Sequence, residues 1–263
     1  MKWVDSGVES ILEPVDQREL GGVRIDALTF EQLFSRLKAW SQDRQGGYAC
    51  PFGSVTLVEA ARSAEFKRAV NSADLVFADG MPTVWFLRLS GVRNAQRVPA
   101  PDLVFKLCEM AASAGIPVGF YGSTQDTLDR ARQNLQSSYP ALEIRFMMSP
   151  PFRPLSLEED EKVVDAINHS GTGLLFVGLG CPKQELWMAA HRTSVKAVTI
   201  GMGAAFDIAA GKQRAPPRVI QVAGMQWLYR LSKEPRRLWK RYLVANPLFL
   251  YLVVKESLKR LSR

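Results

Sequence analysis

The sequence predicts an α/β protein: a mainly parallel sheet flanked by helices, with a basic, amphipathic, helical appendage at the C-terminal end. Three observations carry that expectation. Short apolar runs alternate with segments of helical periodicity along most of the chain, as they do where crossover helices join parallel strands. Four of those runs end in glycine and polar residues: Ala78-Asp79-Gly80, Tyr121-Gly122-Ser123, Val177-Gly178-Leu179-Gly180 and Ile200-Gly201-Met202-Gly203. The net charge of +8 is concentrated at one end: residues 212–263 hold thirteen Lys or Arg against two acids, a balance of +11, and residues 1–211 sum to −3.

Residues 1–20 show no clear period and read as a loosely ordered N-terminal segment. Residues 21–28, GGVRIDAL, read as a strand. From Thr29 to Gln42 the apolar positions Phe30, Leu33, Phe34, Leu37 and Trp40 recur at helical spacing, with Thr29 and Gln32 placed as a capping box. Further helices are predicted over 55–72, 80–90, 102–115, 125–138, 157–169 and 183–193. Strands are predicted over 74–78, 117–121, 144–148, 174–178 and 195–200. These elements make an α/β domain over 21–215 that ends at Pro216-Pro217.

Residues 216–263 form the appendage, in which Trp227, Leu228, Leu231, Leu238, Trp239 and Tyr242 interleave with Arg230, Arg236, Arg237, Lys240 and Arg241. The apolar stretch 244–254, VANPLFLYLVV, is too short for a hydrocarbon core, which takes about 20 residues. A cationic segment bearing Trp and Tyr suits an anionic membrane surface instead. Removing it is expected to leave a folded core.

The composition, 47% hydrophobic and 23% charged, is globular, and no leader segment is read at the start. Cys50, Cys108 and Cys181 are odd in number and far apart, which argues against a disulfide framework and for a reducing cytoplasm. His169 and His191 lack metal-ligand spacing, so neither zinc nor a serine–histidine triad is supported, and neither metal nor cofactor is expected.

In sheets of this kind ligands bind at the carboxyl ends of the strands. Asp79 is there either a cap of the next helix or a general base. Gly178-Leu-Gly-Cys-Pro-Lys-Gln-Glu185 lacks the third glycine of a dinucleotide fingerprint. Gly178 and Gly180 give a ligand room at the backbone, Lys183 adds charge, and Gln184 and Glu185 offer hydrogen bonds, unless the stretch is a plain strand–helix connection. Arg97 and Asp102, the turn at Gly122, and Gly203, Asp207 and Arg214 carry the same two readings. All are candidates for a ligand site at the strand ends.

Together these stretches resemble the WecG/TagA/CpsF glycosyltransferases. ADLVFADGMP, QRVPAPDLVFKL, GFYGST, LLFVGLGCPKQELWM, TIGMGAAFDIAAGKQRAPP and QWLYRLSKEPRRLWKRY stand in that family's order, over about residues 21–243. The resemblance implies a Rossmann-like fold and an inverting, metal-independent transferase. Such an enzyme moves a sugar from a UDP donor to a sugar on an undecaprenyl-diphosphate carrier, at the cytoplasmic face of the inner membrane. Asp79 matches the family's base, and Arg97 and Gln184 match motif residues. Arg230, Arg237 and Lys240 match cations that reach the lipid diphosphate or the leaving UDP. Arg236 and Arg241 extend that basic face.

Three positions depart from the family pattern. Pro51-Phe-Gly53-Ser54 stands where Thr-x-Asn-Ala is common, Ala100 replaces a glycine, and Gln226 replaces a glutamate. The missing Asn disfavours an N-acetylmannosamine or N-acetylmannosaminuronic acid donor and favours a plain hexose. The best-matching branch is the xanthan- or acetan-type β-1,4-glucosyltransferase of exopolysaccharide assembly. Transfer of N-acetylmannosamine or N-acetylmannosaminuronic acid within the same family is the alternative. A nucleic-acid binder using the basic tail is an alternative of another class, disfavoured by the apolar stretch 248–254, so no nucleic-acid partner is expected. A non-catalytic sugar-binding regulator ranks lower because Asp79 is present. Self-association into a homo-oligomer is left open.

Overall fold

The computed structural model describes residues 15–44, 46–203, 205–214 and 216–261, excepting the side chains of residues 100, 101, 218, 237, 241, 260 and 261. The strands are β1 Gln17–Leu20, β2 Val23–Asp26, β3 Tyr48–Phe52, β4 Leu75–Ala78, β5 Val118–Gly122, β6 Ile144–Met148, β7 Leu174–Gly178 and β8 Val198–Gly201. The helices that flank them are α1 Phe30–Asp43, α2 Ser54–Arg62, α3 Ala64–Asn71, α4 Met81–Leu89, α5 Ala100–Ala114, α6 Gln125–Ser138, α7 Leu157–His169, α8 Lys183–Ala190 and α9 Ala205–Ala209. The C-terminal region adds α10 Arg218–Val222, α11 Gln226–Lys233 and α12 Pro235–Leu261.

All eight strands form one sheet in the order β1-β2-β4-β3-β8-β7-β5-β6. Only β1 is antiparallel to its neighbour. The order divides into two blocks, each contiguous in sequence: β1 to β4, and β5 to β8. They meet at a central seam where Tyr48 and Ala49 of β3 pair with Thr199 and Ile200 of β8.

Inner strands buried on both faces read as unbroken apolar runs. Side chains then alternate between two cores. Phe52, Val76, Ala78, Tyr121 and Val177 face one core, with Leu57, Phe66, Phe86 and Met188 from the helices. Phe77, Phe120, Phe176 and Ile200 face the other, with Leu33, Leu107, Leu128 and Phe206. The capping box at Thr29 and Gln32 forms as the sequence predicts.

Some elements differ from the sequence reading. Residues 17–20, expected as loosely ordered, form the edge strand β1 in a hairpin with β2; residues 1–14 lie outside the described residues. β3 is unannounced because Pro51 argues against an inner strand. Its pairing with β8 stops at Ala49, so the N–H that Pro51 lacks has no ladder partner to serve on that side. The single helix expected over 55–72 is two, α2 and α3, divided at Ser63, which is extended and caps α3 through the Phe66 N–H.

The C-terminal region is not the detachable appendage that the sequence reading expects: it packs into the core. α12 lies against α2, and Leu238, Tyr242, Ala245 and Phe249 are buried. Phe249 joins the core that also holds Leu57 and Phe66. The other side of α12 exposes Leu243, Leu250, Tyr251, Val254 and Leu258. Among the described residues, no helix is long and apolar enough to cross a membrane.

Candidate active site

β3, β4, β7 and β8 are parallel, so the residues that follow them converge on one edge of the sheet, around the seam. β4 ends at Ala78, and Gly80 is the N-cap of α4. Asp79 therefore lies one residue before the cap position, half-buried, and the plain capping role does not describe it. Its backbone is held on both sides. Its N–H donates to the Phe52 carbonyl at 3.1 Å, and its carbonyl accepts from Arg97 Nε at 2.8 Å.

Arg97 reaches onward. Its two terminal nitrogens donate to the Gln221 carbonyl at 3.4 Å and to Gln221 Oε1 at 3.2 Å. Burial pushes the Arg97 pKa down, and the carboxylates of Asp79 and Asp102 oppose that shift. Asp79, Arg97 and Asp102 are thus one electrostatic cluster. Asp102 is exposed in the first turn of α5, whose N-cap is Pro99, so it too is not the cap. The donor-site role expected of Arg97 needs revision. Three of its five N–H donors are engaged within the protein.

Across the seam, Gln184 and Glu185 begin α8 as buried side chains. Gln184 Oε1 accepts from the Gly180 N–H at 3.2 Å and the Gly203 N–H at 3.3 Å, and Nε2 donates to Glu185 Oε1 at 2.9 Å. Gln184 therefore ties the turn after β7 to the turn after β8. Its amide makes hydrogen bonds inside the protein where a base or sugar contact was expected. The buried Glu185 carboxylate adds to the desolvation that pushes the Cys50 thiol pKa up.

The glycines divide by role. A Cβ on Gly122, at φ +124°, would fall on the Gly178 carbonyl. A Cβ on Gly178 would lie 2.8 Å from Phe206 Cε2. The space that Gly178 clears is filled by the Phe206 ring, which corrects the expectation that it admits a ligand. Gly180 has φ +81° and open space beside it. A Cβ on Gly203 would sit 3.4 Å from Gln184 Oε1.

Lys183 is exposed at the first position of α8. The Asp207 carbonyl closes the following turn by accepting from the N–H groups of Lys212 at 2.9 Å and Gln213 at 3.1 Å; its side chain is half-buried. Arg214 is exposed. Lys212 leaves that turn to reach Asp126 at 2.7 Å and Thr127 Oγ1 at 2.6 Å at the start of α6. Of the tail cations, Arg230 is half-buried and Arg236 and Lys240 are exposed; the side chains of Arg237 and Arg241 lie outside the described ones. Lys240 lines a cavity of about 420 Å³ between α2, the turn after β7 and α12, with Val55, Val58, Arg62, Cys181 and Val244. Among the described residues no group of three His, Cys, Asp or Glu side chains is arranged to hold a metal ion.

Sequence reasoning missed Gln221, Phe206 and Trp85. Gln221 stands in a short helix with no periodic signal. Phe206 reads as an ordinary core aromatic. Trp85 packs under the turn at Gly224, whose Cβ would lie 2.6 Å from the indole.

A half-buried carboxylate beside a guanidinium, at the strand ends of a parallel sheet, is a group able to take a proton. The chain matches the glycosyl transferase WecG/TagA/CpsF family over residues 18–263 and belongs to that family of transferases. An N-acetylglucosaminyldiphosphoundecaprenol N-acetyl-beta-D-mannosaminyltransferase of Bacillus spizizenii is 27% identical over 200 residues, 76% of this chain and 75% of the relative. The protein of the same description from Staphylococcus aureus is 26% identical over 243 residues, 90% of this chain and 92% of the relative.

Proposed function

We propose that the protein transfers a sugar from a UDP donor to a sugar-diphospho-polyprenol acceptor, with inversion, using Asp79 as the base. Asp79 takes the proton of the acceptor hydroxyl as that oxygen attacks the anomeric carbon. The bond from that carbon to the diphosphate breaks, and UDP leaves with the electron pair. Cations of the C-terminal region, Arg230 and Lys240 among them, stabilise the charge gathering on the departing diphosphate. The observation that carries this reading is the placement of Asp79: not a cap, half-buried at the end of β4, and pinned by the Phe52 carbonyl and Arg97.

N-acetylmannosamine is the donor sugar the relatives support, and the acceptor they act on carries N-acetylglucosamine diphosphate. This replaces the glucose donor as the leading reading. One observation keeps a plain hexose as the second. The β3–α2 turn presents Gly53 and Ser54, with no side-chain amide for an N-acetyl group. The exposed Leu250, Tyr251, Val254 and Leu258, with Lys255 and Lys259 beside them, support contact with an anionic membrane surface, where such an acceptor resides.

The test offers radiolabelled UDP-N-acetylmannosamine and UDP-glucose to the enzyme with N-acetylglucosaminyl- or glucosyl-diphospho-undecaprenol, beside Asp79→Asn. Transfer of N-acetylmannosamine, lost in the variant, is the expected result. Transfer of glucose alone would move the donor to the second reading. Full activity of Asp79→Asn would refute the base.

A further inference from the structure

The backbone carbonyl of Asp79 is held by a side chain that is itself held from the C-terminal region. Arg97 Nε donates to that carbonyl at 2.8 Å, and Val98 N–H donates to the Ala78 carbonyl at 2.8 Å, so residues 97 and 98 run along the end of β4. The far side of the guanidinium meets Gln221 twice, at its backbone oxygen and at Oε1. The amide of Gln221 is used from both ends. Its Nε2 donates to the Pro216 carbonyl at 2.8 Å, closing the turn that starts the C-terminal region. Beyond it, Gly224 at φ +69° seats the chain on Trp85 of α4, the helix that Asp79-Gly80 leads into.

We propose that Gln221 is a positioning residue for the transfer reaction: it fixes the Arg97 guanidinium, and through it the Asp79 turn, so that the base is aimed only when residues 216–225 are seated. This rests on the reading of Asp79 as the base. The chemistry favours an amide here. The position must accept from a guanidinium on one side and donate to a carbonyl on the other, and an amide does both through two separate atoms, Oε1 and Nε2. Arg97 lies in a partly desolvated site, where an N–H that loses its acceptor is costly. With Gln221 removed, the guanidinium is therefore expected to turn toward water or toward the Asp79 and Asp102 carboxylates, which releases the Asp79 carbonyl. A base displaced by a fraction of an ångström loses turnover without losing substrate affinity.

Two substitutions in the full-length chain separate the halves of this contact. Gln221→Leu removes both side-chain contacts, to Arg97 and to Pro216, and leaves the backbone carbonyl in place. Gln221→Glu keeps an oxygen for Arg97 and loses the donor to Pro216. With whichever donor and acceptor the wild type turns over, Gln221→Leu is expected to lower kcat about 10- to 100-fold at unchanged donor KM, and Gln221→Glu to recover most of that loss. Equal losses in the two variants would assign the residue to the Pro216 turn and overturn the proposal. So would wild-type kcat in Gln221→Leu. Hydrogen exchange reads the same linkage without turnover: Gln221→Leu is expected to speed exchange in peptides covering both 216–225 and 76–84. Faster exchange in 216–225 alone, or in neither, would overturn it. If the wild type transfers no sugar, the proposed reaction fails while the exchange result still decides whether Gln221 holds the Asp79 turn.

Discussion

Substituting Gly178 by alanine distinguishes a glycine that serves a ligand from one that serves packing. The new Cβ would lie 2.8, 2.9 and 3.0 Å from Cε2, Cδ2 and Cζ of Phe206, closer than ordinary Cβ contacts. The ring has little room to retreat. It is 1% exposed and meets Phe120 edge-on at 5.5 Å, and Phe120 is stacked on Phe176 at 4.9 Å. Forcing a methyl into such a core costs about 1–3 kcal/mol. For a chain of this size each kcal/mol moves the thermal midpoint by about 2–4 °C. Gly178→Ala is therefore expected to melt several degrees below the wild type in a thermal scan, with UDP affinity by calorimetry little changed. Phe206→Leu, added to it, should recover part of the loss although it is destabilising alone. A Gly178→Ala protein that melts with the wild type but binds UDP poorly would refute the packing account and return this glycine to the ligand.

Other outcomes follow from the same contacts. Asp79→Asn should lower kcat at least about 100-fold, the usual share of a general base, with UDP binding retained by calorimetry. Gln184→Leu strands the Gly180 and Gly203 N–H groups, and each unsatisfied buried donor costs about 1–3 kcal/mol; a chemical denaturation midpoint near that of wild type would contradict the tie between the two turns. Truncation after Pro217 takes Leu238, Tyr242 and Phe249 from the core, at about 1.5–3 kcal/mol for each large apolar side chain, so the shortened chain should unfold at lower denaturant or aggregate, and a core of full stability would refute the shared packing. Glu159 is held down to about 2 by Arg153 and the Ser156 N–H. Because its folded pKa lies below the unfolded value of about 4.3, its stabilisation is present above that value and is lost as pH falls toward 2. A carboxylate NMR titration should show Glu159 with this low midpoint, rising in Arg153→Ala.

The inner strands were legible because burial on both faces demands apolar runs such as LLFVG and VGFYG, and no other element competes for that pattern at that length. β3 was not, because Pro51 contradicts its role locally and only the end of the β8 pairing resolves the conflict. Ser63 is similar: helical periodicity continues through 55–72, and the break shows only in a cap that uses the Phe66 N–H. At the site, Asp79 was legible as a carboxylate at a strand end. Its function as something other than a cap depended on which residue begins α4. Gln184 and Gly178 were singled out for a ligand, whereas their contacts in the structure are with Gly203 and Phe206, residues that follow a different strand. Arg97 was visible as a cation near the crevice; that it is held by Gln221 depends on where the chain returns after Pro216-Pro217, which no local pattern encodes.

The seam at β3 and β8 bears on what a half-formed molecule can do. Asp79 and Arg97 follow strands of the first block, and Gln184 and Gly203 follow strands of the second. Neither block holds all four, and within the sheet the two meet where Tyr48 and Ala49 pair with Thr199 and Ile200. On the proposed mechanism an intermediate with one block folded is catalytically silent, however native its strands. An activity trace recorded during refolding would then time the meeting of the two blocks more directly than any signal from helix content.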